Sequence, residues 1–159
     1  MVSLLFVSVP TGAAAEVIYR DTGLDPDDTS GVADISSTTR TVRTNANGRR
    51  SITMKIRAYE PLGPSWGGFD ASIDYRGGPR RDARITFANN EGPPHCALNL
   101  PDGSGWIFSA RQVGRTIGCT FRLRLLQPTK RIRWKVRSPT SGTFDLPDID
   151  RAPNNGWYA

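Results

Sequence analysis

The clearest pattern in the chain is an alternation of apolar and polar residues across positions 51–60. The apolar members are Ile52, Met54, Ile56 and Ala58. A period of two predicts a β-strand with one face on a core and the other toward solvent. Residues 33–44 are expected to form its hairpin partner, because the Asn-Ala-Asn-Gly sequence that follows them tolerates the positive φ angles of a tight turn.

Short strand-like segments of this kind follow one another along the chain. The candidates are residues 17–20, 33–44, 51–60, 69–75, 83–88, 95–100, 106–112, 116–126 and 130–137. We expect the last six to pair as consecutive hairpins, so that residues 116–126 lie beside residues 130–137. No segment has a helical period, and 16 Gly and 12 Pro interrupt the chain. About nine short strands predict an all-β protein, an antiparallel β-sandwich with jelly-roll-like character.

Length and the first residues bear on domain organisation. A chain of 159 residues suits one domain. Residues 1–15 are uncharged and end in three alanines, which fits the small residues of a signal-peptidase site. They are predicted to be the remnant of a signal peptide, with residues 16–159 as a single secreted β-sandwich domain; the alternative is an apolar first strand. The apolar stretch is too short to span a bilayer.

Export would also explain the two cysteines. Cys96 and Cys119 both fall in predicted strands and enclose 22 residues. A disulfide across a loop of that length stabilises a protein by roughly 3 kcal/mol. The alternative is a pair of buried free thiols. Two Cys and one His cannot supply the four ligands of a structural zinc site.

An acidic segment at residues 21–34 is the main candidate for metal binding. Its five carboxylates are Asp21, Asp25, Asp27, Asp28 and Asp34. Calcium takes six to eight oxygen ligands in flexible geometry, which a loop rich in Asp, Gly, Thr and Ser can supply. The sequence therefore predicts a calcium site, although the same aspartates could instead cap turns by accepting hydrogen bonds from backbone amides.

The chain has a formal net charge of +6, and residues 111–137 contain nine Lys or Arg and no acidic residue. If the last two predicted strands pair, one sheet face presents a lattice of cations. Its predicted members are Arg122, Arg124, Arg131, Arg133, Lys135 and Arg137. Such a face could bind an anionic polymer. The alternative is a solvated face that prevents aggregation between strand edges. Nucleic acid is disfavoured, because no aromatic residues are interleaved with the cations.

Tyr59, Trp66 and Tyr75 are candidates for stacking on sugar rings, with loop packing as the alternative. Asp74 and Asp82 flank a Gly-Gly turn, and we interpret them as stabilising it, by capping it or by contacting Arg80, Arg81 or Arg84; the alternative is metal or ligand binding.

Catalysis is not expected. His95 is the only histidine, and the chain has no Gly-x-Ser-x-Gly motif. It also shows no convincing pair of carboxylates of the kind that glycosidases use.

Several short motifs resemble those of a known group of proteins. They are residues 27–35 (Asp-Asp-Thr-Ser-Gly-Val-Ala-Asp-Ile), 58–60 (Ala-Tyr-Glu), 73–78 (Ile-Asp-Tyr-Arg-Gly-Gly) with Asp82, and 150–157 (Asp-Arg-Ala-Pro-Asn-Asn-Gly-Trp). These resemble uncharacterised secreted β-sandwich domains of high-GC Gram-positive bacteria. The Asp-plus-Gly hairpin is distantly similar to that of family 9 carbohydrate-binding modules and related jelly rolls. That resemblance implies structural calcium and sugars bound through aromatic residues.

These observations together predict a non-catalytic secreted binding or accessory module, stabilised by calcium, that acts on an extracellular carbohydrate or another cell-surface polymer. The main alternative is a structural or adhesion domain with a cationic face for anionic polymers. An unrecognised hydrolase ranks third.

Overall fold

The structure, a computed structural model, describes residues 16–26, 34–63, 68–74, 82–89, 92–126, 133–137 and 151–152. Two antiparallel sheets pack face to face around one hydrophobic core. The predicted antiparallel β-sandwich is therefore confirmed. The strands are β1 (Glu16–Leu24), β2 (Ile35–Thr44), β3 (Arg50–Ala58), β4 (Gly68–Asp74), β5 (Ala83–Ala88), β6 (His95–Asn99), β7 (Gly105–Ser109), β8 (Arg111–Val113), β9 (Thr116–Arg122), β10 (Arg133–Arg137) and β11 (Arg151–Ala152).

The strands divide between a five-stranded and a six-stranded sheet. Sheet A has the order β1-β2-β3-β9-β8, and sheet B has the order β11-β10-β4-β5-β6-β7. Strands β3 and β9 are neighbours in sheet A, and the strands that follow them in the chain, β4 and β10, are neighbours in sheet B. Two adjacent strands of one sheet thus both lead into adjacent strands of the other.

The β2–β3 hairpin forms where the alternation predicted it. Its turn is closed by the amide of Gly48, which donates to the carbonyl of Asn45 over 2.9 Å. The side chain of Asn45 accepts a hydrogen bond from the amide of Arg49 at 2.8 Å. Gly48 has a φ of +74°, a conformation that costs glycine little because it has no Cβ. Local sequence is therefore enough to specify this part of sheet A.

The predicted pairing of the last two strands is wrong. Strand β9 pairs with β3 and β8 in sheet A, whereas β10 pairs with β4 and β11 in sheet B. A 3-10 turn, Leu123–Leu126, follows β9 and ends its strand geometry. Beside β3, strand β9 places Ile117, Cys119 and Phe121 in the core. That burial of apolar surface favours a partner distant in sequence over the next segment of the chain.

Two predicted strands have different limits from those expected. The segment expected at 106–112 is two strands in different sheets, with the chain passing from sheet B to sheet A at Ala110. The Ala110 amide donates to the Pro94 carbonyl at 2.9 Å, which fixes the crossover. Strand β1 extends to Leu24 rather than ending near residue 20, so Asp21 lies within a strand, opposite Arg40 in the register.

Between the sheets lies a core whose largest fully buried side chain is Trp134 of β10. Its Nε1–H donates to Thr38 Oγ1 at 2.9 Å, and the buried Arg40 guanidinium lies 4.4 Å from the ring centroid. Both partners belong to β2, so these contacts join sheet B to sheet A. The predicted Cys96–Cys119 disulfide is confirmed, and it joins β6 of sheet B to β9 of sheet A.

Candidate functional site

A shallow depression of about 620 Å³ lies on the outer face of sheet A. Its lining residues are Thr39, Thr41 and Arg43 of β2, Thr53 and Lys55 of β3, Arg111 and Val113 of β8, and Thr116, Gly118 and Thr120 of β9. We call this surface the threonine–cation face. Five of these ten residues are threonines and three are cations.

Strand register brings these residues together from four strands. One row across the sheet reads Thr39, Lys55, Gly118 and Arg111. The next row reads Thr41, Thr53 and Thr120. Neighbours within a row are about 4.8 Å apart, and rows are about 6.7 Å apart along the strands. The even positions of β3 point into the core, which sends Thr53 and Lys55 to the outer face.

Gly118 lies at a central position of this face. Its register partners are Lys55 on one side and Arg111 on the other. A Cβ added at Gly118 would lie 2.9 Å from Lys55 Cγ and 3.3 Å from the Met54 carbonyl oxygen. The Lys55 stem therefore occupies the space above the glycine, and any larger residue would displace it.

The threonine hydroxyls form part of an ordered polar surface. Thr53 and Thr120 share a hydrogen bond between their Oγ1 atoms at 2.7 Å, and Thr22 and Thr39 share one at 3.2 Å. Each hydroxyl can donate one hydrogen bond and accept others, so one that pairs with a neighbour can still contact a ligand. Threonine is branched at Cβ and has few χ1 conformers, which limits the entropy lost on binding.

The face is positive and lacks compensating charge. None of its ten lining residues is acidic. Within the described part of the chain, Arg43, Lys55 and Arg111 form no ion pair. Cations grouped without nearby carboxylates produce a positive potential that attracts anionic ligands.

The outer face of sheet B has a different electrostatic arrangement. Arg133 donates to the buried carboxylate of Asp74, its register partner on β4. Asp70, also buried, accepts from Arg84 on β5, from Thr86 at 2.9 Å and from Arg137 on β10 at 3.1 Å. Cross-strand carboxylates thus neutralise cations that the sequence analysis assigned to an anion-binding lattice.

Asp70 is ionised more readily than an ordinary aspartate. Burial raises the pKa of Asp70, but hydrogen bonds from Arg84 and Thr86, the charge of Arg84 and a hydrogen bond from Arg137 lower it further than burial raises it. The net result is a pKa below the usual value of 3.8. Such a group stabilises the fold through its charged form.

The predicted cation lattice does not exist as one surface, because its strands belong to different sheets. Arg122 is exposed on sheet A, in the row of Arg43 and Ser51. Arg124 is exposed on the 3-10 turn rather than on a strand, Lys135 is exposed on sheet B, and Arg131 lies outside the described residues. Anion binding by each of these residues stays a prediction.

The residues predicted to bind calcium are only partly described. Asp27 and Asp28 lie outside the described residues, and Asp21 belongs to β1. Asp25 and Asp34 are buried. Among the described residues, no group of three or more His, Cys, Asp or Glu is close enough to bind a metal ion. Calcium binding stays a prediction.

Of the aromatic residues predicted to bind sugars, only Tyr59 is described, and it is not among the residues that line the threonine–cation face. Tyr59 is half-buried, its hydroxyl donates to the Asp25 carbonyl at 2.7 Å, and its amide donates to the Asp34 carbonyl at 2.9 Å. These bonds tie Tyr59 to two aspartates of the acidic segment. Trp66 and Tyr75 lie outside the described residues.

Asp74 and Asp82 border the turn between β4 and β5, and residues 75–81 of that turn lie outside the described residues. Asp74 contacts Arg133 across the sheet, and the Asp82 amide donates to the Ile73 carbonyl at 2.7 Å. Asp82 therefore borders the hairpin, and Asp74 has a partner on a strand distant in sequence; the turn-stabilising role of the two aspartates stays a prediction.

The sequence analysis missed the threonine–cation face. A signal was present in Thr39 and Thr41 and in Thr116 and Thr120, each pair on one face of its strand, but the pairing of β9 with β3 and β8 is needed to bring the two pairs to one surface.

None of the protein-family models, curated proteins or solved structures compared with the chain matches it. The described part of the chain contains no helix long and apolar enough to cross a membrane. The fold and the surface therefore define the class of protein. It is a disulfide-linked antiparallel β-sandwich with a threonine–cation face on one sheet.

Proposed function

We propose that the protein is a secreted, non-catalytic binding module whose threonine–cation face binds an acidic polysaccharide. The observation that supports this is the composition of the depression, in which five threonine hydroxyls accompany three cations and no carboxylate occurs among the ten lining residues. Hydroxyl groups of a polysaccharide can both donate to and accept from threonine. Its anionic substituents can form charge-assisted hydrogen bonds with Lys and Arg.

The shape of the face favours a polymer over a small molecule. Small ligands are usually enclosed in deep and mainly apolar clefts. The threonine–cation face is instead an open, polar depression that spans four strands of a sheet. An extended chain can contact several rows of such a surface at once.

The absence of aromatic side chains from the ten lining residues distinguishes among polymers. Neutral glycans are commonly bound by stacking on exposed aromatic rings, and single-stranded nucleic acids likewise need stacking platforms. Acidic polysaccharides can be recognised by charge and hydroxyl groups alone. This proposal differs from the expectation that Tyr59, Trp66 and Tyr75 bind the sugar.

The disulfide supports an extracellular location, because such bonds form and persist in oxidising compartments. Cys96 and Cys119 are both buried between the sheets, where the bond links the two layers. Calcium binding at the acidic segment is a separate proposal and is not needed for binding at the threonine–cation face.

The test compares one glucan backbone in three forms: dextran, carboxymethyl-dextran and dextran sulfate. The full chain is expected to bind the two anionic forms and not the neutral one. Binding should weaken as ionic strength rises, because salt screens exposed charges. No binding to either anionic polymer would contradict the proposal and favour a purely structural domain.

A matched pair of variants locates the binding site. Lys55→Glu and Lys135→Glu make the same change, from a net charge of +6 to +4 (6 − 2), on the outer faces of sheets A and B. Lys55→Glu should weaken binding at least about tenfold, and Lys135→Glu should weaken it about twofold or less. Equal losses would mean that overall charge, not the threonine–cation face, attracts the polymer. The midpoint of thermal unfolding checks that both variants are folded.

A further inference from the structure

We infer that the threonine–cation face contains one defined anion subsite over β9, which binds a single oxyanion substituent of the polysaccharide between Arg111 and Lys55, whose stem leans over Gly118. This inference depends on the proposed function and specifies where the charged group of the ligand is recognised. The oxyanion is a carboxylate or a sulfate, two groups with the same acceptor chemistry.

The register supplies the first argument. Gly118 is paired with Lys55 on β3 and with Arg111 on β8, so two cations flank one residue without a side chain. The backbones of β3 and β8 are about 9.6 Å apart, because β9 lies between them. A negative group bound over β9 between Lys55 and Arg111 is therefore within reach of cations from both sides.

The residues along β9 complete the subsite. Thr116 and Thr120 lie two positions before and after Gly118 and point to the same outer face. Their Cα atoms are about 6.7 Å from that of Gly118 along the strand. An oxyanion between Lys55 and Arg111 would thus have cations across the strands, and the two threonine hydroxyls on either side can bind neighbouring hydroxyls of the sugar.

The glycine itself supplies the second argument. All other outward positions of β9 have side chains, namely Thr116, Thr120 and Arg122. At Gly118 a Cβ would lie 2.9 Å from Lys55 Cγ, so glycine is needed for Lys55 to lean over β9 toward Arg111. Glycine in a strand interior weakens a sheet and often marks a close approach by another group.

The central experiment replaces this glycine without changing charge. Gly118→Ala should displace the Lys55 stem and fill the floor of the subsite. The affinity of this variant for dextran sulfate or carboxymethyl-dextran should fall roughly 10- to 100-fold, the loss expected for one or two charge-assisted hydrogen bonds. Binding by diffuse attraction to a positive surface would be unaffected, because the net charge stays at +6.

Gly105→Ala is the matched control. Gly105 also lies in a strand, and a Cβ there would meet Asn99 Oδ1 at 3.0 Å and the Leu98 carbonyl oxygen at 3.3 Å, which is close to the crowding at Gly118. Gly105 belongs to β7 of sheet B, away from the threonine–cation face. This variant should bind within about twofold of the original chain, so that a loss specific to Gly118→Ala is a loss at the subsite.

A second measurement keeps the inference testable if Gly118→Ala does not fold. Lys55→Gln, Arg111→Gln and the double variant form a double-mutant cycle. If both side chains contact the same oxyanion, their contributions to affinity are coupled. The loss of affinity in the double variant should then differ by about threefold or more from the product of the losses in the two single variants. If Lys55 and Arg111 instead contact separate charges of the polymer, the free-energy losses of the two single variants should add in the double variant.

The outcomes separate this inference from the proposed function. No binding of either anionic dextran by the original chain would overturn both. Binding that is unchanged in Gly118→Ala, or additivity in the cycle, would overturn the subsite alone. A loss in Gly118→Ala together with coupling in the cycle, or coupling alone if Gly118→Ala does not fold, would support it, and the tighter of the two anionic dextrans would then identify the oxyanion.

Discussion

Both outer faces of the sandwich present cations on their strands, but the two faces differ in what those cations contact. On sheet B, Arg133 and Arg137 lie beside β4, whose Asp74 and Asp70 accept their hydrogen bonds. On sheet A, Lys55 has Thr39 and Gly118 as its register partners, and no lining residue of the depression is acidic. The positions of cations along one strand therefore do not predict whether those cations bind a ligand or stabilise the fold until the neighbouring strand is known.

Burial explains why the two arrangements have different consequences. Asp70 is only 3% exposed. Removing a partner from a buried charge leaves the desolvation cost of that charge uncompensated. The cations of sheet B should therefore contribute to stability. Lys55 and Arg111 are exposed and unpaired within the described residues, so they add little to stability and are available for a ligand.

The largest expected effect comes from the bond that joins the two sheets. Changing both cysteines, Cys96→Ala with Cys119→Ala, should lower the free energy of unfolding by about 3 kcal/mol, because the unfolded chain regains the freedom of the loop. The midpoint of thermal unfolding should fall by roughly 6 to 12 °C. Reduction of the unaltered chain should give a similar fall. A decrease of less than about 1 kcal/mol would show that packing alone aligns β6 and β9.

A smaller loss is expected from the carboxylate at the centre of the sheet B network. Asp70→Asn removes the charge that Arg84 and Arg137 contact and should destabilise the protein by about 2 kcal/mol. Denaturant unfolding measures the change. Affinity for anionic dextran at the threonine–cation face should stay within about twofold. If Asp70→Asn instead altered binding and left stability unchanged, the assigned roles of the two faces would be wrong.

The smallest effect appears in the pH dependence of the same network. Because the folded-state pKa of Asp70 is lowered, its contribution is fully present above the unfolded value of 3.8 and is lost as pH falls through the folded value. The difference in unfolding free energy between the original chain and Asp70→Asn should therefore be constant near neutral pH and shrink below about pH 4. A difference that persisted unchanged to pH 2 would exclude the charge of Asp70 as its source.

Much of the fold could be predicted because its signals are local. Every second residue of β3 is apolar, and the turn before it contains Asn45 and Gly48, so one hairpin is specified within about 25 residues of sequence. The disulfide was also predictable, since two cysteines allow only one intramolecular pair. The segment 116–126 was predicted to be a strand, which holds for residues 116–122 but not for the 3-10 turn after them, and its partners were not predicted.

The candidate site was not predictable for a physical reason. Strand period assigns each side chain to one of two faces, yet it does not choose which strands become neighbours. The pairing of β9 with β3 and β8 brings Gly118 between Lys55 and Arg111, and residues 55 and 118 are far apart in the chain. Likewise, Asp74 and Arg133 meet only because β4 and β10 are adjacent.

The sequence by itself determined the strand period, the β2–β3 hairpin and the cysteine pair, because these follow from backbone geometry and nearby residues. Only the tertiary structure decided which cations are neutralised and which line an open face. That choice depends on burial of the shared core, where Trp134, Phe69 and Phe87 pack, and the best burial is obtained by pairing strands that are distant in sequence.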